Sequence, residues 1–315
     1  MKTRGKVILP ICLLGLIIFL GGCVSNDHTV REVFFDVPRQ GQVGLQPIGE
    51  LPAMIDESSG LVQSGRLEDV FWTHNDSGDQ PRLFAIDAIG ELISPESGVV
   101  ITNAQNRDWE GIAKDFQGNL LIGDFGNNAN KRQDLTIYVL PEPDPRVATR
   151  STATAQWRIH YPDQEEFPPA RNNFDCEAMF VSDGEIYLVT KHRADSMATL
   201  YRLDTRDENR SNELTLLSRM NVRGQVTAAD SWNDGERVAL LTYMGVWVFD
   251  PPDRDGSRLV EGRILWLPIR AFQAEAVAFL DRDNLMITNE QRGVYHLPIS
   301  EMKAVTVRTG SVFGD

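Results

Sequence analysis

Asp108-Trp-Glu-Gly-Ile-Ala113, a polar turn over 114–119, and Leu120-Leu-Ile-Gly-Asp-Phe-Gly-Asn-Asn128 decide the fold. Together they make a short apolar strand, a turn containing Gly118-Asn119, a second apolar strand and a glycine-rich polar loop. The pattern returns four more times. Glu57-Ser-Ser-Gly-Leu-Val62 leads to Val70-Phe-Trp-Thr-His-Asn-Asp-Ser-Gly78. Glu177-Ala-Met-Phe-Val181 leads through Ser182-Asp-Gly-Glu185 to Ile186-Tyr-Leu-Val-Thr-Lys-His192. Thr227-Ala-Ala-Asp-Ser231 leads through Trp232-Asn-Asp-Gly-Glu236 to Val238-Ala-Leu-Leu-Thr-Tyr243, and Glu275-Ala-Val-Ala-Phe279 through Asp281-Arg-Asp-Asn284 to Leu285-Met-Ile-Thr-Asn-Glu290.

A third strand follows each pair: 83–87, 136–140, 199–204, 245–250 and 293–298. More polar fourth strands are expected at Ala153–His160, Glu213–Met220 and Arg263–Pro268. Asp-Gly and Asp-Asn in the first turns supply the positive φ of tight hairpins. The repeat starts Glu57, Glu110, Glu177, Thr227 and Glu275 lie 53, 67, 50 and 48 residues apart. Self-similarity at this period, with four antiparallel strands per unit, predicts an all-β chain folded as a β-propeller of five blades. A sixth blade built from both chain ends (Val30–Gln46 and Lys303–Val312) is the alternative count. A β-sandwich is the competing fold, and five copies of one strand order argue against it.

The first segment reads as a targeting signal. Lys2, Arg4 and Lys6 precede a short apolar run, Val7 to Leu20, that ends Leu20-Gly-Gly-Cys23. This resembles the bacterial lipobox. The resemblance implies cleavage before Cys23, lipidation of Cys23 and anchoring to the cell envelope. Val24 favours the outer membrane, on its periplasmic side. Residues 1–22 are then the signal peptide, 23–49 the lipidated cysteine, tether and first strand, and 50–315 the propeller domain.

All 45 acidic residues follow Cys23 and three of the 31 basic ones precede it, so the formal charge goes from −14 to −17 on cleavage. So acidic a chain disfavours nucleic acid and anionic lipid surfaces as partners. The membrane tie is then the lipid alone, and a monomer is expected. Cys176 is left alone among apolar neighbours, which predicts a buried thiol with no disulfide and no nucleophilic role.

In a propeller the start of strand one and the end of strand two share one face of the disc. The spacing pairs Glu110 with Asp124, Glu177 with Lys191 and Glu275 with Asn289; a longer turn pairs Glu57 with His74 and Asp76, and Thr227 faces Thr242-Tyr243. The expected ligand face gathers these with Asp108, Trp109, Asn127, Asp175, His192, Glu290 and Arg292. Clustered carboxylates repel, so they call for Lys191, Arg193, Arg292, a bound cation or raised pKa values. Glu57, Asp76, Glu110 and Asp124 are the candidate metal ligands, with Ca²⁺ the ion that an oxygen set suits. Any one of these acids can instead serve as a hydrogen-bond acceptor between blades. Trp109 reads either as a stacking platform or as a wedge between blades; Trp72, Trp247 and Trp266 read as core, and His160 and His296 as structural.

His74-Asn-Asp-Ser-Gly-Asp79, Asp108-Trp-Glu-Gly-Ile-Ala113 and Gly123-Asp-Phe-Gly-Asn-Asn128 with Arg132 resemble a bacterial lipoprotein β-propeller family whose activities are largely unassigned. More loosely, residues 50–300 are similar to esterase-like or phytase-like propellers and to TolB-like and NHL-type propellers. The phytase-type resemblance implies calcium on an acidic channel face that binds phosphates. This chain departs from that pattern: it has no evident Lys and Arg cluster, and its fourth repeat has no acid. Two functions are therefore expected. The first is binding of an envelope protein or glycan through the acidic face. The second is calcium-dependent hydrolysis of phosphate or other small esters.

Overall fold

The structure, a computed structural model, describes residues 30–308. The expected signal segment, Cys23 and the end of the expected last strand beyond Arg308 lie outside the described residues. The chain forms a five-bladed β-propeller. The inner strands are Ser58–Gln63, Trp109–Lys114, Asp175–Ser182, Val226–Trp232 and Ala274–Asp281. Each packs against the next, and the fifth packs against the first, so the ring is closed.

Each inner strand opens an antiparallel sheet. Blade 1 continues with Phe71–Asn75, Arg82–Ile86 and Val99–Ile101. Blade 2 continues with Asn119–Asp124, Thr136–Pro141 and Ala155–His160. Blade 3 adds Glu185–Lys191, Met197–Leu203 and Thr215–Asn221, and blade 4 adds Arg237–Thr242, Gly245–Asp250 and Arg263–Leu267. Blade 5 has only two further strands from its own repeat, Asn284–Asn289 and Gly293–Pro298. Its outer strand is Gly49–Glu50 from the start of the chain, with Gly49 opposite Val294 and Glu50 opposite Gly293.

Among the described residues there is no sixth blade. The N-terminal segment is shared among the outer edges of three blades. Arg31–Val33 runs parallel to the outer strand of blade 3, and Phe35–Asp36 pairs with Lys303–Val307, which itself pairs with the outer strand of blade 4. Together with Gly49–Glu50, these strands cover edges that would otherwise expose unpaired amides. The expected fourth strands of blades 2, 3 and 4 are present within a few residues; that of blade 1 is too short to show in the sequence.

The core is divided into five apolar clusters, one at each blade interface. Between blades 3 and 4 Phe180 stacks on Tyr187 at 5.1 Å and Trp247 on Phe249 at 6.2 Å, and the Trp247 indole donates to the Val222 carbonyl at 2.9 Å. Alternation along the strands places apolar side chains on both faces of each blade, which is why the inner strands read as nearly continuous apolar runs. The first turns use the expected chemistry at Asp183-Gly184, where φ is 50° and 72°. The Asp283-Asn284 turn of blade 5 has no positive φ.

Every inner strand carries a β-bulge near its start. The paired residues before the bulges are Ser58 with Asn75, Trp109 with Asp124, Cys176 with Thr190, Val226 with Thr242 and Ala274 with Asn289. The bulged residues are therefore Ser59, Glu110, Glu177, Thr227 and Glu275. Bulges re-aim a side chain and are common beside functional sites. In blade 1 the ladder puts Ser59, not Glu57, at the position equivalent to the other acids. The longer turn between Gln63 and Phe71 hides this two-residue offset in the sequence.

Candidate functional site

Five bulged residues at equivalent positions form a ring around one mouth of the channel. Three are carboxylic acids and two are hydroxyls. The mouth opens into a cavity of about 310 Å³. Glu57, Asp76, Glu110, Glu177, Lys191, Glu275 and Glu290 line it, all expected from the sequence, together with Ser58, Ser59, Asn128, Arg193 and Tyr243.

The mouth has two halves. On the blade 3 side the charges are matched. Lys191 Nζ lies 3.1 Å from Glu177 Oε1, and Arg193 Nε donates to Asp175 Oδ2 at 2.7 Å. Lys191 also donates to the Tyr243 hydroxyl at 3.3 Å, and that hydroxyl donates to Glu275 Oε1. Burial disfavours the Lys191 ammonium, but Glu177 and Glu275 outweigh it and raise its pKa. Tyr243 thus fills the place left by the missing acid of the fourth repeat. Thr227 turns instead to the Ala274 carbonyl at 2.8 Å.

On the side of blades 1 and 2 the charges are unmatched. Carboxylate oxygens of Asp76, Asp108 and Glu110 lie within 4.8 Å of one another. Among the described residues, no Lys or Arg forms a salt bridge with any of the three; Arg132, the nearest cation to act on Asp108, is bonded to Asp124 and Asp134. The Ser59 hydroxyl donates to Glu110 Oε2 at 2.6 Å. Burial, then the Asp76 and Asp175 charges, push Asp108 up to about 7 against the pull of Arg132. Burial, then Glu177 and Asp76, also raise Glu110 well above the usual carboxylate range. Gly126 lets the backbone close over this trio: a Cβ there would fall 2.6 Å from Asp108 Cγ and 2.8 Å from Glu110 Oε1.

Glu275 completes the mouth. It is 6% exposed, and its Oε2 has no hydrogen-bond partner among the described residues. Burial pushes it up to about 7, opposed by Lys191 and the Tyr243 hydroxyl.

The other sequence candidates are placed elsewhere. Asp124, expected as a metal ligand, is bonded to Arg132 at 2.9 Å and accepts the Asp108 amide at 3.1 Å. Asp108 takes its place beside Asp76 and Glu110, because the ladder sets Asp124 opposite Trp109 and turns it toward the Arg132 loop. Asn127 caps that loop, accepting the amides of Lys131 and Arg132, both at 2.9 Å. Asn289 donates to Ala271 O and Tyr295 Oη. Trp109 is a wedge and not a platform: it is fully buried between blades 1 and 2, and its indole donates to Gln105 O at 2.7 Å. His74 lies edge-on to it at 5.6 Å and is fully buried. His192 belongs to a separate side cavity of about 280 Å³, where its ring is held between Asp195 and Thr199, both at 2.8 Å. Arg292 pairs with Glu50 on the strand that closes blade 5. Cys176 is a buried free thiol.

No protein-family model matches the chain, and no curated protein matches it in sequence. Solved structures of propeller-type proteins do match it. The major allergen Mala s 1 of Malassezia sympodialis superposes with a TM-score of 0.51 at 10% identity, over 82% of this chain and 95% of that one. A PQQ-bound aldose sugar dehydrogenase from Streptomyces coelicolor gives 0.47 at 10% identity, over 87% and 100%. A putative gluconolactonase gives 0.41 at 13%, over 84% and 100%. At 10% identity the likeness to Mala s 1 is one of fold, and it agrees with the strand order: the chain is a β-propeller.

Proposed function

We propose that this is a lipid-anchored envelope propeller that holds a divalent cation on Asp76, Asp108 and Glu110 and binds a small polar ligand beside it. The observation that supports this most is the carboxylate trio: three oxygens within 4.8 Å, unmatched by any salt bridge among the described residues, next to a cavity of about 310 Å³. Uncompensated burial of such a set is costly unless a counter-charge arrives. An all-oxygen donor set suits a hard cation, and Ca²⁺ above the others. A bound divalent cation would supply positive charge for a ligand oxygen. The protein's own groups would do the rest. Ser59 orients Glu110, Gly126 admits the close approach of the 125–128 loop, and the Lys191–Tyr243–Glu275 chain fixes the far wall. The cavity lies at the small end of ligand pockets. It suits a small molecule or the end group of a larger one, such as a terminal sugar of an envelope glycan, better than a broad protein face.

Hydrolysis of a small ester is the second reading, motivated by the same trio, since a bound divalent cation can polarise an ester carbonyl. Phosphate esters fit it poorly, because Lys191 and Arg193 are already bonded to Glu177 and Asp175.

Calcium titration of the purified protein by calorimetry and thermal melting tests the proposal. Saturable binding that Glu110→Gln abolishes is the expected result. No heat and no melting shift up to millimolar Ca²⁺ would sink it. The anchoring is tested separately: Cys23→Ser should move the protein from the membrane fraction to the soluble one.

A further inference from the structure

We infer that the ligand of the channel mouth carries a protonated amine, seated against Glu275 and Glu290 beside the carboxylate trio. This rests on the mouth being a ligand site, and it adds the ligand's chemical class. Charge matching comes first. The two cations in the mouth are taken: Lys191 by Glu177 at 3.1 Å, and Arg193 by Asp175 at 2.7 Å. A divalent ion on Asp76, Asp108 and Glu110 would still leave Glu57, Glu275 and Glu290 facing the cavity, none of them in a salt bridge among the described residues.

The second observation is independent of the charge count. Glu275 is more than nine-tenths buried; its Oε1 accepts the Tyr243 hydroxyl, and its Oε2 has no partner among the described residues. A buried carboxylate oxygen left unpaired is destabilising. Because Glu275 lines the cavity, a ligand can bring the missing donor once the carboxyl turns its buried Oε2 toward it. An anionic ligand would meet repulsion here, and a neutral hydroxyl would supply a donor but no charge. An ammonium supplies three N–H donors and the counter-charge together.

The test uses 1,4-diaminobutane as probe, with 1,4-butanediol as its uncharged counterpart, on the full chain by calorimetry and thermal melting, with and without Ca²⁺. The diamine should bind saturably and raise the melting temperature, and the diol should do neither at the same concentration. Glu275→Gln should weaken the diamine at least tenfold and leave Ca²⁺ affinity within about threefold. Glu290→Gln, at a more exposed position that does not endanger folding, should weaken it severalfold. Equal binding of diol and diamine, or a diamine affinity unchanged in both variants, overturns the inference. If Ca²⁺ binds and the diamine does not, the inference falls and the cation site stands. If the diamine binds in the manner described and Ca²⁺ does not, the cation site falls and the amine pocket stands.

Discussion

Asp108→Asn should make the protein more stable and disable the proposed cation site. Among the described residues no N–H donates to the Asp108 side chain, and burial beside Asp76 and Asp175 lifts its pKa from 3.8 to about 7. A carboxyl whose folded pKa is raised costs stability as pH climbs. Below pH 3.8 both states hold the proton; between 3.8 and 7 the unfolded chain releases it first; above 7 the full cost is present. At about 1.36 kcal/mol per pKa unit the cost is about 4 kcal/mol. Asp108 is only partly buried, so solvent screening reduces this to about 2 kcal/mol. An asparagine of the same shape removes that cost and can donate to Asp76. At pH 8 without divalent ions the variant should melt about 4 °C higher than the parent. At pH 4 the two should melt together. Calcium at a hundred times its dissociation constant should stabilise the parent by about 2.7 kcal/mol and leave the variant unmoved. Calorimetric scans at the two pH values, with EDTA or Ca²⁺, measure all of this. A variant that melts lower than the parent at pH 8 in EDTA would show that Asp108 is a structural acceptor and that the trio is not a strained, counter-ion-seeking cluster.

Three further perturbations probe the fold. His74 is fully buried, and burial lowers its pKa to about 4, so stability should be lost as pH falls from 6.5 toward 4, by about 3 kcal/mol; His74→Gln should flatten that part of the stability–pH curve. Glu142 accepts the Trp72 indole at 2.8 Å together with the Ser64 hydroxyl and the Gly65 amide; Glu142→Ala strands a buried indole N–H and should cost about 2–3 kcal/mol in denaturant melts, with Glu142→Gln recovering part of it. Deleting residues 30–50 removes the outer strand of blade 5 and uncovers the edges of blades 3 and 4. Size-exclusion chromatography should then show aggregate, and a monodisperse, fully folded product would contradict the closure described above.

The inner three strands of every blade were readable because each is an apolar run bounded by Gly, Asn or Asp turns, a signal that survives in a single sequence. The closure was not readable. Arg31–Val33, Phe35–Asp36 and Gly49–Glu50 are two or three residues long, too short for any periodicity, and their partners are fixed by which edges lie open after the ring has formed. The site was readable to the level of the ring and no further. The acids Glu110, Glu177 and Glu275 announced themselves by their place in the repeat. Spacing alone could not show that Asp124 turns to Arg132 while Asp108 joins the trio, since that depends on a bulge opposite Gly123. Tyr243 was visible only as a neighbour of Thr242. Its role follows from Lys191 and Glu275, which belong to the blades on either side.

That asymmetry says where a ligand should sit. A propeller repeats one strand order five times, so the bulge aims five side chains at the same mouth by construction. With five equal acids the ring would repel itself and would call for a counter-ion at its centre. Here blades 1 and 4 carry hydroxyls, and blade 3 brings its own lysine and arginine, so repulsion is relieved on one side only. What remains lies on blades 1, 2 and 5: Asp76, Asp108 and Glu110 at one end and Glu275 with its unpaired oxygen at the other. The five apolar interfaces bear the cost of keeping these groups together. Among the described residues Asp108 has no salt-bridge partner, and the pull of Arg132 does not offset its burial and its acidic neighbours. A cationic occupant, as proposed above, would supply the missing charge, and the Asp108→Asn scans separate that view from a purely structural one.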